Sequence, residues 1–292
     1  MLKINFRALY LFLNIVIIIT LLAIHFLIKE NSYESSLLYY TFPLPIIILV
    51  ILFLSVLLNK KHRKVNIIIA SIILLIWLLR SFNISFPEAI DEADLEIVFW
   101  NSSRNRGFQD AFNVSKGIPD VLVLVEGRKN DIEKLQLQFP DYHFYLSDKE
   151  IALFSKTPIK IIQENTSKYN STIIHFQTNA LNFYATDITG SQDVPRSWEL
   201  GFANKHVKLK ENTIVLGDFN VPFESKYLSA FKSNFNHAFN QKGNGFRETW
   251  FWNIPLLSLD HIWVSKDLEI LKTEKIGTFK SDHSMLKTYV RN

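Results

Sequence analysis

The chain has 292 residues, a net charge of +4 and no cysteine, which excludes a disulfide scaffold, a thiolate zinc site and a cysteine nucleophile. Eight of the 32 Lys and Arg residues precede Pro87, against two acids, and the remainder carries 24 basic and 26 acidic residues. The basic excess therefore belongs to the apolar N-terminal region. The rest lacks the electrostatic footprint of a nucleic-acid-binding face and is long enough for one sizeable core.

Residues 1–86 read as a membrane region with three transmembrane helices, at about 8–28, 37–58 and 65–86. Ala8 to Ile28 carries no Lys, Arg, Asp or Glu and matches a bilayer core of ~30 Å. Lys3 and Arg7 in front of it also suit a secretory signal, but the run is long and no small-residue cleavage site follows. The second run carries Pro43 and Pro45 near its start, where a break is tolerated. Val65 to Leu79 is short; it spans if Arg80 snorkels and the helix continues through Phe82 to Phe86, and a re-entrant segment is the alternative. Lys3, Arg7 and the basic loop 59–64 set the N-terminus in the cytoplasm. Three crossings then place the soluble part on the non-cytoplasmic side of a multi-pass cell-membrane protein; two would return it to the cytoplasm. Residues 87–94 are acidic and read as a solvated linker.

A catalytic domain is expected over 95–292. Leu95–Trp100 reads as a strand ending at Asn101. Residues 108–116 have a helical pattern, and the apolar run Val121–Val125 suits a central strand ending at Glu126. Short strands follow at Tyr142–Leu146, Ile151–Phe154, Ile159–Gln163, Thr172–Gln177 and Leu181–Thr186, the last ending at Asp187. Pro195–Leu209 reads as an amphipathic helix, Thr213–Leu216 as a buried strand and Glu224–Phe235 as a helix. Ile262–Val264 and Met285–Val290 close the chain as strands, the latter just after Ser281-Asp282-His283.

Gly217-Asp218-Phe219-Asn220 alone reads as turn punctuation. Asn101, Asp260 and Asp282-His283 each have an equally plain reading as a turn or cap. Glu126 is harder to dismiss, because an acid at a buried strand end costs free energy unless it meets a cation or donor. So many polar residues at strand ends suggest one shared polar edge.

These motifs, in this order, resemble the endonuclease/exonuclease/phosphatase superfamily: Phe99-Trp100-Asn101, Asp120 through Glu126, Gly217-Asp218-Phe219-Asn220, Leu259-Asp260-His261-Ile262-Trp263-Val264-Ser265, and Ser281-Asp282-His283. Asn220 through Ser225 and Thr249-Trp250 also look like the family. The leading helices look like a bacterial membrane-anchored branch. The resemblance implies an α/β four-layer sandwich, two packed mixed β-sheets flanked by helices. It implies Mg²⁺ or Mn²⁺ on Glu126, with Asn101 and Asp282 contributing. Asp218 would orient or deprotonate water, Asn220 would position Asp218 and the phosphate, and His283 paired with Asp260 would donate to a phosphoryl oxygen. Asn101, Asn220, Asp187 and Trp250 are the expected substrate contacts.

One departure stands out. The family usually has a His near the end of the strand before the long helix, where this chain has Tyr184-Ala185-Thr186-Asp187. Asp187 would instead bind a second cation or an amine-bearing substrate, or leave the site weakened; His175 is a candidate substitute. The leading expectation is a membrane-anchored, metal-dependent phosphodiesterase or phosphomonoesterase, its substrate a phosphate ester that is lipid-linked or free. A nuclease of the same fold ranks lower, since Arg104, Arg106, Arg128 and Lys129 form at most a local patch. A silent binding protein ranks last. Phe246, Trp250, Phe251 and Trp252 would line a groove, touch lipid headgroups or simply pack in the core.

Overall fold

The structure, a computed structural model, describes residues 6–104, 106–127 and 132–292; Lys3, Arg128 and Lys129 lie outside them. The chain divides into two compact units, one ending at Phe82 and one running from Asn83 to Asn292.

In the first unit α1 (Phe6–Ala23) continues as a π-helical stretch to Ile28. The expected second span is two helices, α2 (Tyr33–Thr41) and α3 (Leu44–Ser55), bent by 70° at their break. Pro43 accounts for the break: it caps α3, and its ring and missing N–H cannot continue α2. α4 (Lys60–Ser81) starts at Lys60 instead of Val65, because the Asn59 side chain accepts from the His62 amide at 3.1 Å and draws the basic loop into the first turn. It ends at Ser81, and the backbone is extended at Phe82, so it does not run on to Phe86. Ile47 and Ile51 of α3 are fully buried with Leu21 of α1 and Ile73 of α4. Among the described residues two helices, Phe6–Ile28 and α4, are long and apolar enough to cross a membrane, or three spans if the bent pair counts as one.

The second unit is built on two mixed sheets. The first contains β1 (Leu95–Asn101), β2 (Val121–Val125), β3 (His143–Leu146) and β4 (Ala152–Ser155). The second contains β5 (Lys160–Thr166), β6 (Thr172–Thr178), β7 (Leu181–Asp187), β8 (Thr213–Asp218), β9 (Phe235–His237) and β10 (Asp260–Ser265). β11 (Glu269–Ile276) and β12 (Met285–Arg291) complete the first. The strand orders are β11-β12-β1-β2-β4-β3 and β9-β10-β8-β7-β6-β5. Only β1–β2 and β7–β8 are parallel pairs among these neighbours.

Period-two alternation builds the layers. Ile97, Phe99, Val121, Val123 and Val125 face Phe183, Ala185, Ile214, Leu216, Ile262 and Val264 across the inter-sheet core. Val98, Trp100, Leu122 and Leu124 point the other way, onto Phe108 and Phe112 of α5 (Phe108–Ser115). On the second sheet Trp263 points outward and packs on Phe231 of α8 (Ser229–Asn234), ring centroids 5.9 Å apart. The expected helix over 224–235 is shortened to α8, because Phe235 leaves it to pair with Ser265 on β10. α6 (Ile132–Gln138) precedes β3, and α7 (Arg196–His206) buries Leu200 and Ala203. Each fully buried side chain such as Phe99 contributes about 1.5–3 kcal/mol. Residues 83–94 hydrogen-bond within this unit: Glu88 donates to Leu271 O at 2.9 Å, and both Asp94 oxygens accept from Arg291 at 2.7 Å.

Candidate functional site

The alternation that fills the core also places the polar residues. Asn101 shares parity with Ile97 and Phe99, Asp187 with Phe183 and Ala185, Asp218 with Ile214 and Leu216, and Asp260 with Ile262 and Val264. All four therefore face the inter-sheet side. Parallel pairing brings the C-terminal ends of β7 and β8 level, with Asp187 opposite Asp218. β10 runs antiparallel to β8, so its first residue, Asp260, sits opposite Asp218. In the other sheet Asn101 pairs with Val125, which delivers Glu126 beside it. β12 is antiparallel to β1, so His283, just before β12, reaches the same edge.

Asn101 is the bridge. Its Nδ2 donates to Asp218 Oδ2 at 2.9 Å and to Glu126 Oε1 at 3.2 Å, while its Oδ1 accepts from the Ser103 amide at 3.0 Å. His283 Nδ1 donates to Asp260 Oδ2 at 2.8 Å, which leaves Nε2 aimed toward Asp218 Oδ2, 4.0 Å away. The Asn220 amide donates to Asp218 Oδ1 at 2.8 Å, and its Nδ2 donates to Ile188 O at 2.7 Å. Glu126 and Asn220 both hold left-handed backbone, each with φ of 50°, a conformation costly without glycine and common where a site imposes it. Asp282 accepts from Ser103 Oγ and from Trp250 Nε1, the latter at 2.9 Å.

The electrostatics follow from burial and like charge. Burial raises the Asp218 carboxyl well above its ordinary range, and Asp260 beside it adds to the effect. His283 is 7% exposed, and burial disfavours its charge; Asp260, Asp218 and Asp282 outweigh that and lift it to about 10. Asp187 is pushed up to about 7 by burial and by Glu126 and Glu150, with Arg104 and His283 opposing. Burial also pushes Asp282 up, but its bonds from Ser103 and Trp250 win and hold it below its ordinary value.

A cavity of about 280 Å³ opens beside this edge, lined by Glu126, Asp187 and Asn220 and, further out, by Arg104, Glu150 and Gly190. Arg104 Nε lies 3.2 Å from Glu126 and 3.9 Å from Glu150. The acid-rich lining fits a hard divalent cation, which takes oxygen donors and would relieve the like-charge crowding that lifts Asp187. Glu126, whose carboxylate meets Asn101 Nδ2 and Arg104 Nε at 3.2 Å, is among the acids that could hold it. Asp282, also expected as a ligand, has its carboxylate engaged by Ser103 and Trp250. Asp218, Asp260 and His283 form a second cluster whose ligand atoms lie within 4.8 Å of one another.

Trp250 stands at the His283 side, its indole N–H spent on Asp282, and does not line the cavity. His175 points away from the site: it stacks on Tyr184 at 4.4 Å, and its neighbours Ile174 and Phe176 face the core. Sequence reasoning passed over Arg196. Its guanidinium donates to the carbonyls of Asn220, Thr189, Ser191 and Gly190 at 2.8–3.1 Å and so ties the Asn220 turn to the cavity rim. It also passed over Glu150, and it noted Thr249 in the Thr249-Trp250 pair without a role; the Thr249 Oγ1 accepts from the Leu259 and Asp260 amides at 3.2 Å.

A search of curated proteins finds no match. Solved structures share the fold of the second unit. An endonuclease/exonuclease/phosphatase family protein from Bacteroides thetaiotaomicron aligns with a TM-score of 0.52 at 14% identity, covering 69% of this chain and 98% of its own. A mannosyl-6-phosphatase from the same organism aligns at 0.53 and 15%, covering 68% and 100%. A humanized D. rerio TDP2 aligns at 0.50 and 17%, covering 68% and 99%. Residues 82–283 match the Endonuclease/Exonuclease/phosphatase family model, and the chain belongs to that family, whose hydrolases act on phosphoester bonds.

Proposed function

We propose that this chain is a membrane-anchored, divalent-metal-dependent phosphoesterase that hydrolyses a phosphodiester or phosphomonoester by attack of water. The observation that carries this reading is the continuous set Glu126–Asn101–Asp218, with His283 and Asp260 completing it at 4.0 and 2.8 Å. Asp218, held by Asn101 and the Asn220 amide, orients a water and takes its proton; its raised carboxyl is a better base than an ordinary Asp. His283, kept charged by Asp260, donates from Nε2 to a phosphoryl oxygen. Asp282 and Trp250 fix the segment that carries His283. Glu126, with Asn101 beside it, would hold Mg²⁺ or Mn²⁺, which supplies charge neutralisation at the phosphoryl group.

The basic segments at the N-terminus and at residues 59–64 favour a cytoplasmic N-terminus, and three crossings put residues 83–292 outside. The small acid-lined cavity and the slight acidic excess after Pro87 favour a compact phosphate ester over nucleic acid. Trp252 and Ile254, 42% and 55% exposed on the loop next to Trp250, favour a lipid-linked substrate. The test uses the full chain in lipid nanodiscs with Mg²⁺ and bis(p-nitrophenyl) phosphate. Turnover by wild type that is lost in Asp218→Ala supports the reading; equal rates for the two sink it.

A further inference from the structure

We propose that His261 and His237 are positioning residues for the Asp218–Asn220 turn: a two-imidazole relay that holds the Val221 carbonyl. The proposal rests on the role given above to Asp218.

The hydrogen bonds fix the direction of the relay. The Asn240 amide donates to His237 Nδ1 at 3.2 Å, so that nitrogen is an acceptor and the ring proton sits on Nε2. His237 Nε2 then donates to His261 Nδ1 at 3.1 Å. His261 in turn carries its proton on Nε2 and donates to Val221 O at 3.0 Å. Each of the four ring nitrogens has one role. Reversing either tautomer sets two lone pairs or two N–H groups against each other.

The surroundings keep this arrangement single-valued. His261 is fully buried and His237 is 6% exposed. His261 lies edge-on to Phe219, and His237 lies edge-on to Trp263 at 4.7 Å and beside Phe223 at 4.9 Å. Burial holds both imidazoles neutral, His261 down to about 4 and His237 well below its ordinary value. Both carry a single ring proton at neutral pH, as the relay requires.

The held carbonyl matters because of what precedes it. Asn220 is left-handed, and its amide fixes Asp218 Oδ1. Asn takes up that backbone more readily than most residues, and its amide reaches Asp218 only while the turn is kept. His261 anchors the peptide that follows the turn, from β10, while Asp260 of the same strand holds His283. One strand thereby sets both the base and the phosphate donor. The histidines themselves line no part of the cavity, so they act through the Asp218–Asn220 turn and not by contact with substrate.

The test uses the full chain in nanodiscs, labelled with ¹⁵N-histidine, and bis(p-nitrophenyl) phosphate with Mg²⁺. In wild type at pH 7, NMR is expected to show His237 and His261 both as Nε2–H tautomers. His237→Leu removes the donor to His261; kcat is expected to fall about tenfold with KM held within about twofold, the loss of one buried hydrogen bond. His237→Gln, which keeps an N–H toward His261, is expected to restore kcat. A wild-type His261 protonated on Nδ1 overturns the relay, as do folded Leu and Gln variants with equal kcat. Absence of wild-type turnover counts against the phosphoesterase reading, and the tautomer spectrum then decides the relay by itself.

Discussion

Asp187 and Asp218 are register partners on adjacent parallel strands, and their carboxyls face the same sheet edge. Asp187 is held at about 7 against an ordinary 3.8. An acid raised in the folded state opposes folding once it must ionise. With metal chelated, stability is expected to fall as pH rises from about 4 through about 7 and then level off, by at most about 4 kcal/mol. Asp187→Asn should flatten that slope, and adding Mg²⁺ should raise the Tm of wild type more than that of the variant. Thermal melts at pH 5, 6 and 7.5, with EDTA and with Mg²⁺, check both.

His283 titrates in the opposite sense. Its folded value near 10 exceeds the ordinary 6.5, so its ion pair with Asp260 stabilises fully below about 6.5 and is lost as pH rises through about 10. Asp260→Asn removes the partner that most offsets burial. The alkaline limb of kcat should then move from near 10 toward neutral, and kcat at pH 8 should fall by about 10²-fold or more. A pH–rate profile of the two proteins settles it; coincident alkaline limbs would refute the assignment.

Arg196 makes four backbone contacts with one planar fork, a geometry a lysine ammonium cannot reproduce. Arg196→Lys is expected to cost about 1–2 kcal/mol in stability and to lower kcat through the Asn220 turn. Urea unfolding and steady-state kinetics measure the two effects.

Gly217 permits the close approach of β8 to Thr186 on β7. A Cβ there would lie 2.0 Å from Thr186 O and from Thr186 Oγ1. Both strands are buried, so the backbone cannot yield cheaply, and Gly217→Ala is expected to destabilise by about 3 kcal/mol or more. Gly201, with open space around its Cβ position, is the control: Gly201→Ala on α7 should be neutral or stabilising by denaturant unfolding.

Much of the site was legible because strand chemistry is local. Asn101, Glu126, Asp187, Asp218 and Asp260 each end or begin an apolar run, and alternation alone says which way they face. Arg196, Glu150 and the His237–His261 relay were not legible, because their meaning depends on which carbonyl or carboxylate lies across a contact distant in sequence. His261 sits inside a recognised motif, yet nothing local shows that it reaches Val221 O. Elements failed where a competing bond redirected the backbone. Phe235 was taken from a helix by pairing with Ser265, and Asn59 pulled the basic loop into α4.

The shared parity of core and site residues has an evolutionary consequence. A single-residue insertion within β7, β8 or β10 would turn Asp187, Asp218 or Asp260 outward and expose the apolar residues beside it in the same event. A chain that has lost its site through a slipped strand has also lost its core, and so is cleared by unfolding rather than persisting as an inactive decoy. Insertions that survive are thereby confined to the loops, where Arg104, Glu150 and Gly190 border the cavity.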